Sequence, residues 1–330
     1  MNDATEKASQ TSGTRSSTRF SPGTQAIGQS PASIGNVAVG FDLLGHTLEG
    51  PADRAIVTLT AQPGVVITGI SGVVTELPRE PQRNTAGRAL EALLAHTDGS
   101  FGLSLALEKG IALGSGMGGS AASAVAALVA ANALLDTPLP LEILYDCAME
   151  GEAVASGSKH GDNVAPMLLG GLVIAPTQGA PVAIPVPDWL FVTLVHPHFA
   201  LETRLARAAL KGSYELHSFV EQSEGLALVL AGCYTGARDL IRRGLKDHLV
   251  EPRRAGLIPG FASVKQAALD AGALGASISG AGPSVFGWFD DPARAQQGAN
   301  GMAEAFRQAG LETDRYVSPV AGPAARGWVI

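Results

Sequence analysis

The 330-residue sequence is short of cysteine: it has two, Cys147 and Cys233. They lie far apart and form no metal or redox motif, and they fit a reducing compartment. Positive charge is short as well. Lys and Arg number 23 against 30 Asp and Glu, a formal net charge of −7. That sign argues against a general nucleic-acid binder or a ligand of anionic membranes. A local basic pocket for a small anion stays compatible with it. No long apolar run exists. The longest, Ala121 to Leu135, is too short for a bilayer and contains Ser123 and Asn132. The first 25 residues are polar and rich in Ser and Thr, lack the apolar stretch of a signal peptide, and read as a disordered tail. A cytoplasmic protein with no nucleic-acid and no membrane partner is expected. The oligomeric state is left open, a homodimer included.

What the chain does have is enough apolar residue, 46%, for a large core. Its length suits one large or two medium domains. Few aromatics and abundant Gly and Ala suit close packing of helices on sheets. RAIVTLTA, VVITGI and FGLSLALEKG read as strands. TAGRALEALLAHT reads as a helix capped by Thr85. Ser120 to Leu135 reads as a helix stopped at Asp136-Thr137-Pro138, and another runs from Pro140 to about Ala155. SGSKHGDN is a loop, VAPMLLGG a short helix and LVIA a strand. PTQGAPVAIPVPD marks a boundary near residue 180. Beyond it come a strand (WLFVTLV), helices over 203–211, 214–245 and 261–271, two antiparallel strands around Gly280-Ala281-Gly282-Pro283, and a helix over 292–309. The order is α+β in two halves, without internal repeats.

Residues 114–123, GSGMGGSAAS, hold the main chemical signal. A glycine loop entering a helix exposes several backbone N–H groups at one point, where the helix dipole adds positive potential. Phosphate is its natural occupant. Gly114, Gly116 and Gly119 satisfy G-x-G-x-x-G, but no strand ending in an acid follows about 20 residues on, as a dinucleotide fold requires. No Gly-Lys-Ser/Thr triplet exists for a Walker A loop.

ALGSGMGGSAA resembles the ATP-binding motif P-x-x-x-G-L-G-S-S-A-A of the GHMP kinases, with Ala112 for Pro, Met117 for Leu and Gly119 for the first Ser. PASIGNVAVGFDLLG (31–45) and GASISGAGPSVFG (275–287) resemble that family's first and third motifs. Within the family, homoserine kinases are the nearest match. Asn36 with Gly40-Phe41-Asp42, the run from His160 to Pro166 (HGDNVAP), Ala206-Arg207 and Glu251–Gly260 (EPRRAGLIPG) carry that resemblance; Ala38 departs from it where Gly is usual. The resemblance implies a two-domain GHMP kinase fold, with a ribosomal-protein-S5-like N-terminal domain and a ferredoxin-like C-terminal domain. The ATP-binding domain would span 26–180 and the C-terminal domain 181–330. It implies phosphorylation of L-homoserine by ATP in threonine biosynthesis, with Mg²⁺.

Residue by residue, the resemblance places ATP on Gly114, Ser115, Gly116, Met117, Gly118, Gly119, Ser120 and Ala121. An Arg fork suits the substrate carboxylate, and Arg207 and Arg254 are the candidates, with Arg204 and Arg253 as neighbours without that role. His160 would help hold the carboxylate. Asp42 would meet the ammonium, with Asn36 beside it; an alternative is that Asp42 caps a helix. Mg²⁺ wants hard oxygen ligands. On the helix from Pro140, Glu152 falls on the inward stripe with Ala148, whereas Glu150 lies about 200° round from Ala148. Helical phase thus favours Glu152 over Glu150, and the resemblance implies Glu152 and Ser120 as the metal ligands. The catalytic step is assigned to Asp162 as base or to Asn163 as the residue that orients the hydroxyl; the alternative for the pair is a helix cap. His196-Pro197-His198 lacks a nearby third metal ligand. Two rival functions stay open: a GHMP kinase for another small alcohol, and a non-catalytic sensor of the same fold.

Overall fold

The computed structural model describes residues 16–156 and 159–330. The chain forms β1 (Gln25–Gly35), β2 (Leu44–Thr60), β3 (Gly64–Gly72), α1 (Thr85–Leu94), β4 (Gly102–Lys109), α2 (Gly119–Ala133), α3 (Leu141–Ser156), α4 (Val164–Leu169), β5 (Leu172–Ile174) and β6 (Val182–Ile184). It continues with β7 (Phe191–Pro197), α5 (Thr203–Ala208), α6 (Leu216–Thr235), α7 (Arg238–Gly244), α8 (Glu251–Arg254), α9 (Phe261–Asp270), β8 (Gly275–Ile278), β9 (Val285–Phe289), α10 (Pro292–Gln308), β10 (Thr313–Pro319) and β11 (Arg326–Val329).

Two sheets organise these elements. The first runs β11-β1-β2-β4-β3, with β5 on the start of β2 and β6 on β5. Its pairs are antiparallel except β3 with β4. The second runs β10-β7-β9-β8, all antiparallel. Strands β6 and β11 thus join the first sheet although both follow residue 180. In β7 and β9, Val192, Leu194, Phe286 and Trp288 enter the large core shared with the first sheet. Val195, Val285 and Phe289 face the smaller core with α9 and α10. That alternation is the two-residue period of a strand buried on both faces.

Helix α2 is apolar all round and buried, as its composition demands. It lies so close to the sheet that a Cβ on Gly28 would sit 1.9 Å from the Ala126 carbonyl oxygen. The packing aims its N-terminus at the join between the two halves.

Several elements differ from the sequence reading. Asn84, not Thr85, caps α1: its side chain accepts from the amides of Ala86 and Gly87. The helix expected over 214–245 is α6 and α7, broken at Gly236, whose φ is +67°. The helix expected over 203–211 ends at Ala208. β1, β6, β10, β11 and α8 were not legible. Of the expected tail, residues 16–25 are held: Ser16 Oγ donates to the Thr137 carbonyl at 2.8 Å and Thr18 Oγ1 to that of Leu134 at 2.7 Å. Residues 1–15 of that tail lie outside the described residues, as do 157–158 of the expected loop.

Candidate active site

A cavity of about 140 Å³ opens where α2, the turn after β1, and the loops before α4, α5 and β9 meet. At one end is the glycine turn. Gly114, Gly116 and Gly118 have φ of +60°, +76° and +69°, a region that side chains resist. Space excludes side chains as well. A Cβ on Gly116 would lie 2.5 Å from the Ser279 carbonyl oxygen, and one on Gly118 2.4 Å from Ser33 Oγ. The turn's carbonyls are taken up by the protein. Ser284 Oγ donates to that of Ser115 (2.6 Å), Ser279 Oγ to that of Gly116 (2.7 Å), and the Ser33 amide to that of Met117 (3.1 Å). The first helical amides of α2 have no partner within the helix, and Gly118, Gly119, Ser120 and Ala121 line the cavity. Gly114, Ser115 and Gly116 line it too. Met117 does not: its side chain is buried and borders a separate pocket with His196 and Phe199.

The other end is densely charged. Asn36, Val37, Ala38 and Asp42 all have positive φ. At Ala38, φ is +57°, which gives a reason for glycine at that motif position. The strained loop is pinned by Asn36, whose Oδ1 accepts from the Asp42 amide at 2.9 Å and whose Nδ2 donates to the Gly280 carbonyl at 2.7 Å. Asp42 caps no helix, since β2 begins two residues later. Instead Arg207 grips it with two bonds of 3.2 and 2.9 Å, and His160 Nδ1 lies 3.2 Å from its Oδ2. Burial holds the His160 imidazole below its ordinary pKa; Asp42 opposes this and Arg207 adds to it.

Arg254 is 2% exposed. Its Nε donates to the Ala206 carbonyl and its Nη1 to the Gly280 carbonyl, both at 3.0 Å. Burial lowers its pKa, and the neighbouring Arg207 lowers it further. Arg207 Nε is buried without a hydrogen-bond partner among the described residues. Arg204, by contrast, pairs with Glu202 on the surface, and Arg253 binds the carbonyls of Leu210, Lys211 and Ser213.

Between the two ends stand Asp162 and Asn163. Asp162 is buried and accepts the Asn36 amide at 3.0 Å. Burial, with the Asp42 charge second, pushes its carboxyl up to about 7. Asn163 precedes α4 but makes no side-chain cap bond. Its Oδ1 accepts from Ser33 Oγ at 2.8 Å. Glu152 lines the cavity, whereas Glu150 is turned to Arg88 (3.0 Å) and Lys159 (2.6 Å), which hold it below the usual carboxylate range. Glu152 and Ser120 supply hard oxygen donors on the same cavity, the set that suits Mg²⁺ beside phosphate oxygens. His196 and His198 pair with Ser284 and Asp314 instead of with a common centre.

The sequence does not single out Ser33 or Thr203 as site residues, whereas the Gly280–Pro283 turn, expected either as the floor of the site or as a plain strand connection, does line the cavity through Gly280, Ala281 and Gly282. Sequence reasoning also passed over a buried ion pair, Lys109 with Asp53, beneath the turn. The signal for that pair was present. Asp53 shares a strand face with Ala55, Val57 and Leu59, and Lys109 with Leu103, Leu105 and Leu107, so alternation turns both charges inward.

Comparison with known proteins agrees with this geometry. Residues 84–171 match the model of the GHMP kinases N terminal domain, and 227–308 that of GHMP kinases C terminal. The chain is 57% identical to a homoserine kinase of Xanthomonas campestris pv. campestris, covering 90% of this chain and 92% of the relative. It is 52% identical to one of Xylella fastidiosa, covering 92% and 94%. The crystal structure of homoserine kinase from Cytophaga hutchinsonii superimposes with a TM-score of 0.87 at 39% identity, over 94% of this chain and 98% of that one. The fold is also that of L. major mevalonate kinase, with a TM-score of 0.62 at 15% identity, over 94% of this chain and 98% of that one. The chain therefore belongs to the GHMP kinases and, within them, to the homoserine kinase family.

Proposed function

We propose that the protein transfers the terminal phosphoryl group of ATP to the hydroxyl of L-homoserine, giving O-phospho-L-homoserine for threonine biosynthesis. The observation that carries this reading is two guanidinium groups, Arg207 and Arg254, set beside Asp42 at one end of a cavity whose other end is a helix N-terminus. The buried Arg254 and the half-buried Arg207 repel each other, and Arg207 Nε lacks a partner among the described residues. A substrate carboxylate answers both, and Asp42 answers the substrate ammonium. Homoserine presents these two charges and a hydroxyl.

The amides of Gly118, Gly119, Ser120 and Ala121 would hold the phosphates by fixed dipoles, which need no reorganisation as charge shifts in the transition state. Mg²⁺, held by Glu152 and Ser120, would neutralise phosphate charge. Phosphoryl transfer asks the protein mainly for positioning. Asp162, titrating near 7, is poised to take the hydroxyl proton at neutral pH, and Asn163, braced by Ser33, orients the hydroxyl. The test is incubation with Mg-ATP and a panel of small alcohols, followed by ³¹P NMR. Turnover of homoserine is expected. Turnover of a different alcohol alone would reject the substrate assignment, and no turnover of any would reject catalysis.

A further inference from the structure

Under the glycine turn lies a closed polar network whose side chains, Lys109, Asp53 and Ser123, do not line the cavity. The Lys109 ammonium, at the end of β4, donates to the Gly119 carbonyl and to Ser123 Oγ, each at 2.8 Å, and is bonded to Asp53 Oδ2. Ser123 Oγ in turn donates to Asp53 Oδ2 at 2.7 Å. Asp53 Oδ1 accepts from the amides of Gly110 and Ile111 at 3.0 and 3.1 Å. The side chains of Lys109 and Asp53 are 1% and 0% exposed. One carboxylate therefore binds the chain entering the turn, while the ammonium binds the first turn of the helix leaving it.

A buried ion pair is poor evidence for stability, since well-packed apolar residues do as well or better. What apolar residues cannot do is hold a carbonyl. We propose that Lys109 is a positioning residue for nucleotide: neutralised by Asp53, it draws the Gly119 carbonyl downward and so keeps the first amides of α2 at the cavity. This rests on the functional reading above.

The test uses the full chain with Mg-ADP as the calorimetric probe, and two variants. Lys109→Met keeps the length of the side chain and removes the charge. Asp53→Asn/Lys109→Met removes both charges and leaves an acceptor for Gly110 and Ile111. Both should bind Mg-ADP about tenfold more weakly, the scale of one lost charge-assisted hydrogen bond. KM for ATP should rise by the same factor, and KM for homoserine should stay within about twofold. The single variant should melt lower because Asp53 is left buried without its counter-charge. The double variant should recover that melting temperature without recovering ADP affinity. Wild-type affinity in the double variant, or affinity returning in step with melting temperature, would overturn the proposal. Wild-type protein that binds Mg-ADP yet phosphorylates no homoserine would overturn the functional reading alone.

Discussion

The two ends of the cavity, the phosphate end and the acceptor end of the proposed reaction, are built from different parts of the chain. The phosphate end is built from backbone: glycines, short side chains and the amides of one helix, with Glu152 as its carboxylate. The acceptor end is built from ionisable side chains, Asp42, His160, Arg207 and Arg254, brought from four separate segments. The contrast follows from the ligands each end suits. A polyphosphate carries diffuse negative charge, which fixed dipoles match. A small zwitterion offers one group of each sign, which only charges placed ångströms apart can tell from a neutral alcohol.

The largest effect that would break this comparison is at the acceptor end. Removing one member of a buried charged constellation costs about 2–5 kcal/mol, so Arg254→Ala should lower kcat/KM for homoserine by about a hundredfold or more. KM for ATP should stay nearly unchanged in steady-state kinetics. Equal losses for both ligands would mean the ends are not independent. Next, Glu152→Gln should lower kcat and move the Mg²⁺ dependence to higher concentration, with KM for homoserine little changed; an unshifted Mg²⁺ titration removes Glu152 from the metal.

pH sharpens the boundary between the ends. The Asp162 carboxyl is raised from 3.8 to about 7 by burial and by Asp42. Between those values the folded state holds a proton that the unfolded state has lost, so this group's contribution to stability falls as pH rises from about 4 to 7. His46 works in the opposite direction, because burial depresses it to about 4 and the unfolded state binds the extra proton up to about 6.5. Asp162→Asn should therefore gain melting temperature relative to wild type as pH increases through this window. It should also abolish the rise of kcat/KM through about pH 7. A variant that tracks wild type in both profiles would exclude Asp162 as the titrating group. The smallest effect belongs to neither end. Asn84→Ala removes the cap of α1 and should cost about 1 kcal/mol of stability in denaturant titration, with kinetics close to wild type.

The phosphate end was legible because it is local. A loop that must be glycine and a helix that must be alanine-rich stand next to each other in GSGMGGSAASAVAALVA, and the structure keeps that order. Met117 belongs to the motif but not to the cavity lining, because a motif does not say which members face the cavity. Glu152 was separable from Glu150 by helical phase alone. The acceptor end was legible only through resemblance, since nothing in the spacing of Asp42, His160, Arg207 and Arg254 says that they meet. β1 was missed because QAIGQSPASIG carries Gly, Pro and Ser; its Pro31 sits where the register slips against β2, a place that tolerates proline.

By itself the sequence determined the helix whose N-terminus opens on the cavity, the faces of the long strands, and the inward phase of Glu152, because each follows from periodicity within one element. Only the tertiary structure decided that β11 returns to β1, that the second sheet lays one face against the first half's core, and that Arg207 reaches Asp42. Those contacts join residues more than a hundred positions apart, and their energy comes from burying surfaces against each other, which no short stretch of chain encodes.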